Sequence, residues 1–242
     1  MLSKLKPSFR PMLEVPAHGL IRMGLTPNMV TLVGMMLSLA FCAALAWTGS
    51  VLLFIPLLTL CFLFDALDGA VARLTGQRTH TGGYLDALCD RATDGALCIA
   101  LAEVTGRWQL YFAIALGAGL FSYAKARAEM EASVGNDAWP DLMERTERCV
   151  LLLASAFLHG LFPGVILAGV GLLDWWLLCI AILIYWSLGQ RVLRAIRLLV
   201  AVDRAAGAPM GQNRENSFDP LCGDLCPSQV AAHEPQARKH RR

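Results

Sequence analysis

FDALDGAVARLTGQRTHTGGYLDALCD, residues 64–90, sets four aspartates, Asp65, Asp68, Asp86 and Asp90, into a region that is otherwise written for a membrane. Residues 28–64, just before it, contain no Lys, Arg, Asp or Glu. That run is too long for one transmembrane helix, which needs about 20 apolar residues. It is expected to be two helices with Thr48-Gly49-Ser50 as the turn between them. The second has too few residues before Asp65 to span a bilayer, so it must continue through DALDGAVAR and carry its aspartates with it.

On helices, Asp65, Asp68, Gly69 and Ala72 fall at i, i+3, i+4 and i+7, and Gly82, Asp86 and Asp90 at i, i+4 and i+8. Each set therefore lies on one face of its helix. The short basic loop between them makes the helices antiparallel neighbours, so the two acidic faces can meet. Four carboxylates brought together uncompensated would repel one another strongly. Divalent cations resolve the conflict, and hard oxygen donors at this density suit Mg²⁺ or Mn²⁺, with two ions natural where one carboxylate bridges them. An ionisable residue in a span is itself a functional signal, because it costs about 2.5–3.5 kcal/mol near mid-bilayer when unpaired. Gly69, Ala70, Ala72, Gly82 and Gly83 allow close approach of helices or of a bulky ligand, and Arg73, one turn beyond Gly69, is placed to reach a phosphate. Asp94, one further turn along, either supports the site or pairs with a basic neighbour.

The rest of the chain supports a membrane class. Of 242 residues, 56% are hydrophobic and 17% charged, and the mean hydropathy is +0.50, a balance unlike that of a water-soluble domain. Further helices are expected over about 82–104, 108–127, 148–168 and 171–191, giving six spans in an all-α integral membrane protein. Basic residues mark the cytoplasmic side: Lys4, Lys6, Arg10 and Arg22 before the first span, Arg73 and Arg78 between the second and third, Lys125, Arg127, Arg145 and Arg148 between the fourth and fifth, and Arg191, Arg194 and Arg197 after the sixth. Only Arg107 falls on the other side, so both termini are expected in the cytoplasm, on the cytoplasmic face of the cell (inner) membrane. Residues 1–27 form an N-terminal segment, either a short interfacial helix or a flexible leader, and lack the pattern of a removable signal peptide. Residues 28–202 form the six-helix domain, and 203–242 a polar tail expected to be disordered. Six cysteines lie in apolar stretches and read as small buried hydrophobes. Cys222 and Cys226 are one helical turn apart.

With these residues in view, the chain resembles the CDP-alcohol phosphotransferases, whose signature DxxDGxxAR, eight residues, then GxxxDxxxD is matched by Asp65, Asp68, Gly69, Ala72, Arg73, Gly82, Asp86 and Asp90. TPNMVT at 26–31 also looks like that family's entry to its first helix. The resemblance implies a six-helix enzyme, usually a homodimer, that cleaves a CDP-linked donor at the diphosphate, releases CMP and joins the remaining phosphoryl group to an alcohol. It implies that Asp65, Asp68, Asp86 and Asp90 bind two Mg²⁺ or Mn²⁺ ions and that Asp90 is the general base. Gly69 and Arg73 would contact the CDP-diacylglycerol diphosphate, with Asn28, Met29, Val30, Thr31 and Thr79 near the same group.

SYAKARAE (122–129) and ERTER (144–148) place cations at helix ends around the same mouth, which suits an acceptor that already carries phosphate. LDALCDRATDG, SYAKARAE and ERTER are similar to the corresponding segments of bacterial phosphatidylinositol phosphate synthases. That likeness implies inositol 3-phosphate as acceptor, its phosphate held by Lys125, Arg148 and Arg191. A phosphatidylglycerophosphate synthase, with glycerol 3-phosphate as acceptor, is the alternative, but it typically reads DPxAD where this chain reads DALCD. The expected partners are CDP-diacylglycerol, a phosphorylated polyol, membrane lipid and a second copy of the chain, with no nucleic acid. A cation transporter would spread polar groups near mid-bilayer over broken helices, often in two related halves. Here the acids cluster near one face, and no internal repeat is present.

Overall fold

The computed structural model describes residues 6–132, 143–162 and 164–207. Seven helices account for nearly all of them: α1 (Lys6–Arg22), α2 (Pro27–Thr48), α3 (Val51–Leu74), α4 (His80–Thr105), α5 (Trp108–Glu131), α6 (Arg145–Leu161) and α7 (Leu172–Gly207). Their boundaries are written in the sequence. Thr26 caps α2, its Oγ1 accepting from the Met29 N–H, and Pro27 occupies the first turn, where no intrahelical N–H is required. Gly49 (φ +65) closes α2 and Gly106 (φ +71) closes α4, both left-handed, at the two turns expected there. Among the described residues three helices are long and apolar enough by themselves to cross a membrane, Pro27–Thr48, Val51–Leu74 and Leu172–Arg204.

The chain divides into two compact units. The first comprises residues 1–120 and 141–187. In it α2 packs against α3 and α4, α1 against α3, and α6 against α3 and α4. Its main core joins α2, α4, α5 and α7 through Leu45, Leu97, Leu101, Tyr111, Ile114 and Ile184. Tyr111 Oη and Ser155 Oγ, both buried, are 3.0 Å apart and tie α5 to α6. A second cluster seats α1 on α3, with the fully buried Ala17 against Leu67, Ala70 and Val71. The second unit comprises residues 121–140 and 188–242. Its described part is the last turns of α5 and the second half of α7, with Ala128 and Ala195 buried against each other and Leu198 beside them.

Two boundaries differ from expectation. The fifth expected span, α6, stops at Leu161 rather than 168. Beyond it, Ala168 and Gly169 both take positive φ and turn a small antiparallel hairpin, Ile166–Leu167 against Val170–Gly171. The last helix runs on to Gly207, so residues 203–207 of the expected tail are helical. The arginines at 191, 194 and 197 repeat every three residues while Val192, Leu193, Ile196 and Val200 keep an apolar surface, and a helix can satisfy both. Of the six cysteines in apolar stretches five are buried, and Cys179 on α7 is exposed. Cys222 and Cys226 lie outside the described residues, as does the tail from 208 on.

Candidate functional site

The loop from Thr75 to Thr79 turns the chain from α3 into α4, and α2 packs against both helices. Gly76 (φ +67) makes the reversal, and Thr79 Oγ1 accepts from the Gly82 N–H at 3.0 Å to start α4. Asp65 and Asp68 on α3 and Asp86 on α4 are thereby brought together, each offering a carboxylate oxygen within 4.8 Å of the others'. Helix α2 contributes as well. The Thr31 hydroxyl donates to Asp68 Oδ2 at 2.6 Å, and Asp68 is buried. Three converging carboxylates, one of them fixed by a hydroxyl, form a hard oxygen donor set of the kind that fits Mg²⁺ or Mn²⁺.

Asp68 and Asp86 of this triad line a cavity of about 290 Å³ together with Asn28, Thr31, Gly69, Arg73, Thr79 and Gly82, among others. Five of the seven residues expected near the donor diphosphate (Asn28, Thr31, Gly69, Arg73 and Thr79) therefore share one space. Met29 and Val30 do not line it. Met29 is exposed, its N–H in the Thr26 cap, and Val30 is packed against the α1–α3 cluster. Two glycines keep the wall thin. A Cβ on Gly69 would stand 3.5 Å from Arg73 Nη1, and one on Gly82 would stand 2.9 Å from Asn28 Oδ1.

Asp90 has different surroundings. It lines a second, inner cavity of about 20 Å³ together with Asp65, Thr31, Ser38, Thr93 and Arg145, a space on the scale of a single water. Arg145, from the start of α6, enters here. Its Nη1 is 2.6 Å from Asp65 Oδ2 and 2.7 Å from Asp90 Oδ1, its Nε is 3.3 Å from Asp94 Oδ1, and the guanidinium carbon lies 5.9 Å from the Phe62 ring centroid. Arg91 Nη1 is 3.6 Å from Asp90 on the solvent side. Asp94 also meets Arg148 Nη2 at 3.5 Å, so it pairs with two basic neighbours. Arg145 is the residue that sequence reasoning left without a place in the cluster. ERTER puts it one turn from Arg148, but nothing local says which helices that face will meet.

The three cations expected at the acceptor phosphate have these settings. Arg148, in the first unit, is buried and donates to the Met143 carbonyl at 2.9 Å. In the second unit Lys125 Nζ is 3.7 Å from Glu129 Oε1. Arg191 is buried there, donates to the Phe121 carbonyl at 2.6 Å and lies over the Phe121 ring, 3.5 Å from its centroid.

Residues 24–187 match the family model of the CDP-alcohol phosphatidyltransferases. The chain is 35% identical over 177 residues to an archaetidylinositol phosphate synthase of Pyrococcus horikoshii, covering 72% of this chain and 91% of that one. It is 34% identical over 188 residues to a phosphatidylinositol phosphate synthase of Mycobacterium marinum, covering 73% and 76%. Among solved structures it resembles the phosphatidylinositol phosphate synthase of Mycobacterium tuberculosis with CDP-DAG bound, at a TM-score of 0.65 and 30% identity over 76% of this chain and 94% of that one. The same enzyme in complex with manganese and citrate gives the same TM-score and identity. With a signature carried on α3 and α4 and a family match running from the start of α2 into α7, the chain belongs to the CDP-alcohol phosphatidyltransferase family, and it is a transferase of phospholipid synthesis.

Proposed function

We propose that the protein transfers the phosphatidyl group of CDP-diacylglycerol to a hydroxyl of inositol 3-phosphate, giving phosphatidylinositol phosphate and CMP. The observation that carries this reading is the convergence of Asp65, Asp68 and Asp86, the last two lining a cavity that Arg73 also lines, in a chain whose relatives are inositol phosphate lipid synthases. Asp65, Asp68, Asp86 and Asp90 hold two divalent ions, Mg²⁺ or Mn²⁺. Such ions neutralise the donor diphosphate and stabilise the charge of departing CMP.

The chain's own residues supply the rest. Gly69 leaves room for the diphosphate beside the Arg73 guanidinium, with Asn28, Thr31 and Thr79 along the same wall. Asp90 accepts the proton of the acceptor hydroxyl as that oxygen attacks the phosphatidyl phosphorus and the bond to CMP breaks. Lys125, Arg148 and Arg191 hold the acceptor phosphate, a role carried by the resemblance of SYAKARAE and ERTER to the same segments in the relatives.

Six successive long helices, α2 to α7, support six spans. The basic residues at the α3–α4 loop, at the end of α5 and at the start of α6 support an active site facing the cytoplasm from the inner membrane. In that frame α1 is the interfacial helix, and residues 1–27, 28–202 and 203–242 remain the working division, with α7 overrunning its last boundary. A homodimer is part of the same reading by family likeness.

A panel of acceptors tests the proposal. Purified protein with CDP-diacylglycerol and Mn²⁺ or Mg²⁺ is expected to release CMP with inositol 3-phosphate, and to release little with glycerol 3-phosphate or free inositol. CMP release that depends on glycerol 3-phosphate instead would move the chain to the phosphatidylglycerophosphate synthases.

A further inference from the structure

The Arg145 guanidinium touches carboxylates of both acidic helices. Asp65 on α3 and Asp90 on α4 share its Nη1, and Asp94, a turn further along α4, takes its Nε. It is mostly buried, at 18% side-chain exposure. We propose that Arg145 is the resident counter-ion of the carboxylate cluster and exchanges with the divalent metal, retreating from Asp65 and Asp90 onto Asp94 when metal loads. The proposal rests on the metal reading given above, and it assigns Arg145 and Asp94 as positioning residues.

Asp65 belongs to two groups at once. Its carboxylate is part of the triad with Asp68 and Asp86, and its Oδ2 is also the acceptor of the Arg145 ion pair at 2.6 Å. A divalent ion bound by Asp65 would stand beside a mostly buried positive charge, and a partly buried pair is screened much less than an exposed one. The guanidinium need not leave the protein, because Asp94 already holds its Nε and lies on the side away from the triad's third member. The Phe62 face, 5.9 Å from the guanidinium carbon, gives the side chain an apolar backing for the shift. Without metal, Arg145 neutralises part of a cluster that would otherwise repel itself open. With metal, the same movement releases Asp90 from an ion pair and frees its oxygens. Arg148 shares Asp94 and donates to the Met143 carbonyl, so it supplies a control of similar charge and location.

The test is Mn²⁺ binding by the full-length protein in detergent, read as free aquo-Mn²⁺ by electron paramagnetic resonance, with thermal unfolding measured in parallel. R145Q is expected to bind Mn²⁺ about tenfold more tightly than wild type, and R148Q to change affinity by less than about threefold. R145Q is also expected to unfold at lower temperature than wild type without metal and at a similar temperature when saturated. D94N, which removes the retreat, is expected to weaken Mn²⁺ binding in the wild-type background and to have little effect in R145Q, the signature of action through Arg145. Should R145Q not purify folded, R145K replaces it, with a smaller tightening expected because an ammonium cannot serve three carboxylates at once. Unchanged or weaker Mn²⁺ binding by the Arg145 variants, equal shifts in R145Q and R148Q, or additive effects of D94N and R145Q would each overturn the exchange. A wild-type protein that binds no Mn²⁺ would instead remove the metal reading beneath it.

Discussion

Asp68 and Asp90 stand in matching places, each the second aspartate of its helix's motif, and yet they are held in opposite ways. Asp68 faces the larger cavity and is fixed by a neutral group, the Thr31 hydroxyl at 2.6 Å. Asp90 faces the inner cavity and is held by charge, with Arg145 at 2.7 Å and Arg91 at 3.6 Å. A hydroxyl orients a carboxylate without cancelling its charge, which suits a group that must attract a cation. A guanidinium cancels the charge and must be exchanged before the carboxylate can act as a base. Matching motif positions on two helices thus yield two electrostatic settings, and the difference comes from the neighbours, α2 beside Asp68 and α6 beside Asp90.

The largest effect separating the two belongs to the base. D90N keeps the shape of the side chain and its place beside Arg145 but removes its capacity to take a proton. Turnover is expected to fall by about 10²–10⁴, with CDP-diacylglycerol binding still measurable by a filter or calorimetric assay. Near wild-type CMP release from D90N would show that Asp90 carries no proton in the reaction, and the contrast with Asp68 would lose its functional meaning.

A smaller effect is expected on the other side of the comparison. T31V is close to isosteric and deletes only the hydroxyl, leaving Asp68 buried without its donor. A hydrogen bond to a charged group is worth about 1.5–3 kcal/mol, so the Mn²⁺ concentration needed for half-maximal activity should rise by about tenfold or more. Metal at saturation should recover most of the rate. A rate that stays low at saturating Mn²⁺ would mean that Thr31 serves the donor and not Asp68.

The contrast also marks how far the sequence could be read. That Asp65 and Asp68 share a face, as do Asp86 and Asp90, follows from helical period, and the short RLTGQRTHT loop keeps the two acidic segments close, although it is α2, packed against both α3 and α4, and not direct α3–α4 packing that joins the helices. The period and the loop are local facts, and the convergence of Asp65, Asp68 and Asp86 was legible from them. The pairing of Arg145 with Asp65 joins residues 80 apart, and no periodicity in ERTER can say that α6 will approach α3 and α4. The end of α6 failed for another reason. VILAGVGLL is apolar throughout, so composition does not separate a helix from a hairpin, and the positive φ of Ala168 and Gly169 decides it. Charge usually marks the end of a span, which puts the expected boundary at Arg191, but α7 continues past it with the Arg191 guanidinium stacked on Phe121.

The smallest expected effect concerns the shared wall of the larger cavity. A Cβ on Gly82 would stand 2.9 Å from Asn28 Oδ1 and 3.1 Å from Thr79 Oγ1, whereas one on Gly83 would meet nothing within 4 Å. Both glycines lie in the first turn of α4, so replacing either with alanine gains a similar amount of helix propensity, up to about 1 kcal/mol. Only at Gly82 does the methyl displace neighbours. The Asn28 amide is the end of a flexible side chain and can swing aside, so G82A should fold with nearly wild-type stability. The amide can move only by leaving its position against Gly82 on the wall that Arg73 and Gly69 also line. The Michaelis constant for CDP-diacylglycerol is therefore expected to rise a few-fold in G82A and less in G83A, with the Mn²⁺ requirement of both close to wild type. If the two alanines raise it equally, close packing at Asn28 is not what makes Gly82 matter, and the wall of the donor cavity must be drawn without Asn28.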